Sequence, residues 1–165
     1  MMTVNQILVA SDFSESADAA FLYGRELAIR FGARVHLLHV AQDIYINMLG
    51  AANYLSMAPV IQNQIEEDAR RHLRELVGAK GDGEPDTVTC VLTASSPAVA
   101  IVEYARANSI DLIVIGTHGR GAVAHLFMGS VAERVVRLAP CPVLTVKHPE
   151  HDFVLPATLV QVAKA

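Results

Sequence analysis

Tryptophan is absent from the chain and aromatic residues make up only 5% of it. The composition is otherwise that of a globular protein. Basic residues are also few: 13 Lys and Arg stand against 17 Asp and Glu, giving a net charge of −4. General nucleic-acid binding relies on dense positive charge, so no nucleic-acid partner is expected. Any anion site must be local and made of main-chain amides with one or two side chains. The two cysteines, Cys90 and Cys141, form no CxxC pair and sit in apolar runs, as small buried hydrophobes of a reducing compartment do. No stretch reaches 18 consecutive apolar residues, so no membrane span is expected. Met1 to Gln6 lack the basic and long apolar regions of a signal peptide. A soluble cytoplasmic protein is the expectation.

What is present is a regular alternation. At 165 residues, 52% of them hydrophobic, the chain suits one domain that buries about 70% of its unfolded surface without disulfide or metal. Ile7–Ala10, Arg34–Val40, Thr87–Leu92, Asp111–Ile115 and Val143–Val146 read as strands, mostly continuous apolar runs suited to burial on both faces. Between them lie four helical patterns. The first starts with Ser14 as N-cap and stops at Gly32. The second runs from about Val60 to Val77, with Ile61, Ile65, Ala69, His72, Leu73 and Leu76 on one face and Glu67 and Arg71 spaced to pair. The third opens with Ser96 and Pro97, and the fourth spans Val131–Leu138. Residues 41 to about 58 read as a long connection with some helix. Such alternation predicts a parallel sheet with right-handed crossovers and helices on both faces, an α/β domain over residues 1–147. A tail, 148–165, carries six large apolar residues and is expected to pack on the domain or on a partner.

The chemistry concentrates after the fourth strand. Gly116-Thr117-His118-Gly119, nine more residues, then Gly129-Ser130 run from that strand into a helix. Backbone amides and the positive end of a helix dipole hold anions there, and glycines let the chain approach closely. In open α/β sheets ligands lie beyond the carboxyl ends of the strands, where strand order reverses. If the first and fourth strands are neighbours, Ala10, Ser11, Asp12 and Val40 flank the same crevice. A nucleotide fits this picture, phosphates near Gly119, Gly129 and Ser130, base near Ala10 and Val40. Two commoner phosphate loops are excluded. No GxxxxGK(S/T) string occurs, and the GxGxxA match at Gly119–Ala124 has no acid at 139–143 for a ribose. The His-x-Gly-His signature of adenylyl transfer is missing from the first turn, Ser11-Asp12-Phe13-Ser14.

Ordinary roles compete with these. Asp12 suits the first helix's positive end as well as a metal or ribose, and Ser130 can cap a helix while touching phosphate. His118 and Arg120 can meet phosphates or stay solvated; His125 reads as surface or packing. His36 and His39, three apart in a strand, point to opposite faces and cannot chelate together. His148 and His151 lack further ligands.

Gly116, Gly119, Gly129 and Ser130, spaced G-x2-G-x9-G-S/T, together with Ile7–Ser16, Leu37–Val40 and Ala139–Val146, resemble the universal stress protein family over roughly residues 4–147. The resemblance implies a three-layer α/β/α fold with strand order 3-2-1-4-5. For the family's ATP-binding branch it implies that Asp12 lies near the ribose and metal–phosphate region, the one weak provision for Mg²⁺. Ala10 and Val40 would flank adenine, with Ser11 beside them. Ile115 and Gly116 would lie beside the nucleoside, and Gly119, Gly129, Ser130 and Val131 near ribose and phosphates; Arg120 joins the candidates by its place in the loop, not by the resemblance. It also implies a homodimer through Val143–Val146. The expected function is an ATP-binding regulatory module with slow or no hydrolysis, since one carboxylate and no dedicated base make poor provision for phosphoryl transfer. A nucleotide hydrolase or adenylyl-transfer enzyme is the alternative, and a dimeric interaction protein without nucleotide the second.

Overall fold

The computed structural model describes residues 3–47, 56–79, 81, 83–117 and 128–147. Five strands, β1 Gln6–Ser11, β2 Arg34–Gln42, β3 Thr87–Ala94, β4 Leu112–Gly116 and β5 Val143–Val146, form one sheet in the order β3-β2-β1-β4-β5. All four pairings are parallel. Helices α1 Glu15–Phe31 and α3 Ala58–Val77 cover one face, where Ile7, Val9, Val35, Leu37 and Val114 meet Phe21, Ala28 and Leu73. Helices α4 Pro97–Ala107 and α5 Ser130–Leu138 cover the other, where Leu8, Ala10, Leu38, Ile113 and Ile115 meet Ile101, Ala105 and Val135. Residues 7, 9 and 8, 10 part to opposite faces by the two-residue period of a strand, so each apolar run feeds two cores.

Local chemistry sets the ends of the elements. The Ser14 hydroxyl accepts the Ala17 amide at 3.3 Å and caps α1, and Gly32, at φ 67°, closes it in the left-handed conformation. Ser96 and Pro97 open α4 as expected, although the Ser96 side chain makes no capping bond. Asp111 fastens the start of β4 to β1, its carboxylate accepting the Asn5 and Gln6 amides at 2.8 and 3.0 Å.

Three details differ from the sequence expectation. Strand β2 runs on to Gln42 and a short helix, α2 Ile44–Asn47, follows, making five helices among the described residues; 48–55 lie outside them. The buried face of α3 is Ala58, Gln62, Ala69 and Leu73, while Ile61 and His72 are exposed. Gln62 is buried because its amide is satisfied: Oε1 accepts the Ile44 amide at 3.1 Å and Nε2 donates to Thr93 Oγ1 at 3.2 Å. Along the helix, Arg71 pairs with Asp68 and Arg70 with Glu66. Exposed pairs of this kind contribute about 0.3–0.5 kcal/mol each.

His36 and His39 do point to opposite faces. His36 is buried against α4, with Nδ1 2.9 Å from the Tyr104 hydroxyl and Nε2 2.8 Å from Gln6 Oε1. Because Oε1 only accepts, Nε2 carries the proton and Nδ1 accepts from Tyr104. Burial, reinforced by the Arg34 charge and opposed by Asp86, lowers the His36 pKa below its ordinary value. The unfolded chain then binds a proton that the folded chain refuses. Stability is full above the ordinary histidine pKa and is lost as pH falls through the interval below it. In His36→Gln the acid-sensitive part of the melting temperature should shrink. Thermal melts at about pH 7.5 and 5.5 check this, those values bracketing ordinary histidine titration. An unchanged pH dependence would contradict it.

Candidate functional site

Strand β1 has β2 on one side and β4 on the other, so strand order reverses between β1 and β4. The loops leaving these two strands therefore face each other across the carboxyl end of the sheet. Register puts Ala10 beside both Leu38 and Ile115, and Ser11 beside His39. Ala10 and Ile115 are buried in the α4/α5 core, and Val40 and Val131 pack partly buried against it together with Met128. Ala10, Val40, Ile115 and Val131, chosen from the sequence, thus share one face at one end of the sheet. Met128, directly before Gly129 and not among the sequence candidates, packs beside them.

Ser11 and Asp12 end β1 differently. Ser11 is buried, its hydroxyl accepting the Phe13 amide at 3.2 Å and its carbonyl accepting His39 Nδ1–H at 2.8 Å. Asp12 Oδ1 accepts both the amide and the hydroxyl of Ser14, at 3.1 and 2.6 Å. The aspartate is thereby fixed against the capped start of α1, the ordinary helix-end role weighed for it.

At the end of β4, Gly116 packs flat on α1. A Cβ placed there would lie 2.5 Å from Ser16 Oγ and 2.8 Å from the Ser16 backbone carbonyl. Thr117 is buried, its amide donating to Val146 O at 2.8 Å. Its carbonyl accepts the Gly129 amide at 2.6 Å, which brings the two ends of the glycine loop together. His118, Gly119, Arg120 and His125 lie outside the described residues, as do His148, His151 and the tail 148–165.

The helix after the loop begins one residue earlier than expected. Gly129 is the N-cap, its carbonyl accepting the Glu133 amide at 3.0 Å, and Ser130 is the first helical residue. Since the Gly129 amide serves the loop closure, the donors that an α-helix leaves without a carbonyl four residues back are those of Ser130, Val131 and Ala132. They point out of the start of α5 at the switch point, with the positive end of the helix dipole behind them.

This geometry, strand order 3-2-1-4-5 with the glycine-spaced loop between β4 and α5, is met together with a match of residues 3–147 to the model of the universal stress protein family. The chain belongs to that family. A universal stress protein of Thermus aquaticus, described as encoded in the QAH/OAS sulfhydrylase 3′ region, is 34% identical over 86% of this chain and 97% of its own. The structure of the universal stress protein UspA from Lactobacillus plantarum superposes with a TM-score of 0.70 at 28% identity, covering 88% of this chain and 99% of that one. A universal stress protein from Archaeoglobus fulgidus, solved in complex with dAMP, shares the fold with a TM-score of 0.54 at 21% identity, covering 89% and 100%.

Other chemistry has less support. Among the described residues no group of three or more His, Cys, Asp or Glu side chains could hold a metal ion, and no helix is long and apolar enough to cross a membrane. Burial pushes the Cys90 and Cys141 thiols up, which makes them poor nucleophiles and suits the packing role expected of them.

Proposed function

We propose that this universal stress protein binds ATP at the β1/β4 switch point and acts as a regulatory module, with hydrolysis slow or absent. The observation that carries this is the meeting of two features at one place. The first amides of α5 stand at the carboxyl end of the sheet, where Ala10, Val40, Ile115 and Val131 form one apolar cluster, and this pairing suits a ligand with an anionic end and a flat apolar end. Gly116, Gly119, Gly129 and Ser130 enter through the sequence spacing and Arg120 through its place in the loop, and the dAMP complex of a relative with the same fold is consistent with an adenine base.

The provision for a metal is modest. Asp12 offers a hard oxygen at the end of β1, and Mg²⁺ is commonly held by one or two carboxylates together with substrate phosphates. When bound, the ion would neutralise phosphate charge. Asp12 would orient it, while the α5 amides hold the phosphates and the apolar cluster excludes water from the base. No general base stands out among the described residues, so holding the nucleotide is favoured over turning it over.

A homodimer through β5 belongs to the same proposal. β5 is the end of the sheet order and exposes Leu144, an edge that pairing with a second copy would cover. Sedimentation velocity with Mg-ATP reads both points at once. Dimer-sized particles carrying nucleotide absorbance are expected. Monomers with free nucleotide would contradict both, and dimers without nucleotide would favour the interaction protein.

A further inference from the structure

Two non-glycine residues among those described have positive φ, Phe13 at 62° and Ser109 at 49°. Ser109 follows the end of α4, an ordinary place for a left-handed residue. Phe13 lies between the last residue of β1 and the N-cap of α1, and a bulky side chain pays for that conformation. Glycine would adopt it freely, so the aromatic ring must contribute through its contacts. Those contacts are specific. The ring stacks on His39 of β2 at 4.4 Å and 27°, and its edge meets His72 of α3 at 5.1 Å and 67°. His39 in turn donates to the Ser11 carbonyl, and the Phe13 amide donates to the Ser11 hydroxyl.

These bonds make a closed buttress on the α1/α3 side of the sheet, behind the proposed nucleotide crevice. It joins the end of β2, next to Val40, to the end of β1, next to Asp12. The left-handed step at Phe13 lets the chain leave the strand at Ser11 and enter the helix cap at Ser14 in two residues. It also lets Asp12 Oδ1 take both bonds from Ser14. We propose that Phe13 is a positioning residue for nucleotide binding: its left-handed backbone, held by the His39 and His72 rings, sets where the Asp12 carboxylate stands toward Mg-ATP. This rests on the nucleotide site proposed above and extends it to a residue that touches no ligand itself.

The test compares ATP affinity with and without Mg²⁺ in the full chain. Four proteins are needed: the wild type, Asp12→Asn, Phe13→Val and the double variant. The wild type should bind more tightly with Mg²⁺ by about tenfold, of the order of one good charge-assisted contact. Asp12→Asn should remove that advantage. Phe13→Val, whose β-branched side chain resists the left-handed region, should remove most of it, and the double variant should be no worse than the single ones. A general loss of stability would lower affinity with and without Mg²⁺ alike and would add to the Asp12 effect. Retention of the Mg²⁺ advantage in Phe13→Val, or its survival in Asp12→Asn, would overturn the proposal while leaving nucleotide binding intact. Absence of ATP binding by the wild type would overturn the nucleotide site itself and this proposal with it. Should Phe13→Val not fold, Phe13→Gly takes the turn freely and removes only the ring. A several-fold loss of the Mg²⁺ advantage is expected there, and an unchanged advantage would overturn the proposal.

Discussion

Gly116→Ala should destabilise the chain by about 2–3 kcal/mol, toward the upper part of the usual range for overpacking. The added Cβ would meet Ser16 Oγ at 2.5 Å and the Ser16 backbone carbonyl carbon and oxygen at 2.8 Å. A side-chain hydroxyl can rotate away, but the backbone at the start of α1 cannot without lifting the helix from β4. That helix end is held in place: Ser14 caps it, and the Ser16 hydroxyl donates to the Val146 carbonyl at 3.3 Å. For a chain of this size the loss corresponds to a fall in melting temperature of about 5–10 °C. Thermal denaturation followed by circular dichroism measures it. A fall of less than about 1 °C would mean that α1 moves freely over β4, against the packing described.

Gly129→Val should behave in the opposite way. Gly129 has φ −69° and ψ 153°, a conformation open to any residue, so its backbone does not demand glycine. Valine is a poor N-cap, which costs about 1 kcal/mol and a few degrees of melting temperature. ATP affinity, however, should fall about 10- to 100-fold, as expected for one lost hydrogen bond to a charged phosphate at the start of α5. The two glycines of one spacing thus separate: Gly116 answers to helix packing and Gly129 to ligand approach. Equal ATP affinity in the wild type and Gly129→Val would place the phosphates elsewhere.

Much of the fold was legible because strands buried on both faces leave continuous apolar runs and the helix caps leave Ser14 and Gly32. The strand order came from a family resemblance, since no local pattern tells which strands are neighbours. The inward face of α3 was misjudged at Ile61 and Gln62, because hydrophobic periodicity cannot see a glutamine whose amide is satisfied by Ile44 and Thr93. In the candidate site, Ala10 and Val40 stand out as the ends of apolar strands, whereas Ile115 and Val131 entered only through the family resemblance. The shift of the α5 cap from Ser130 to Gly129 was not legible, as it depends on the Gly129 amide reaching back to the Thr117 carbonyl. Phe13 and His39 escaped for a related reason. Their stacking joins three elements, and the left-handed turn carries no glycine to announce it.

The central claim is that the start of α5 and the apolar cluster together hold an adenine nucleotide. Calorimetric titration of Mg-ATP into the wild-type chain tests it most directly. A saturable isotherm with one nucleotide per chain is predicted, with competition by dAMP and none by inorganic phosphate at equal concentration. No saturable heat up to millimolar ATP, or full competition by phosphate alone, would contradict it.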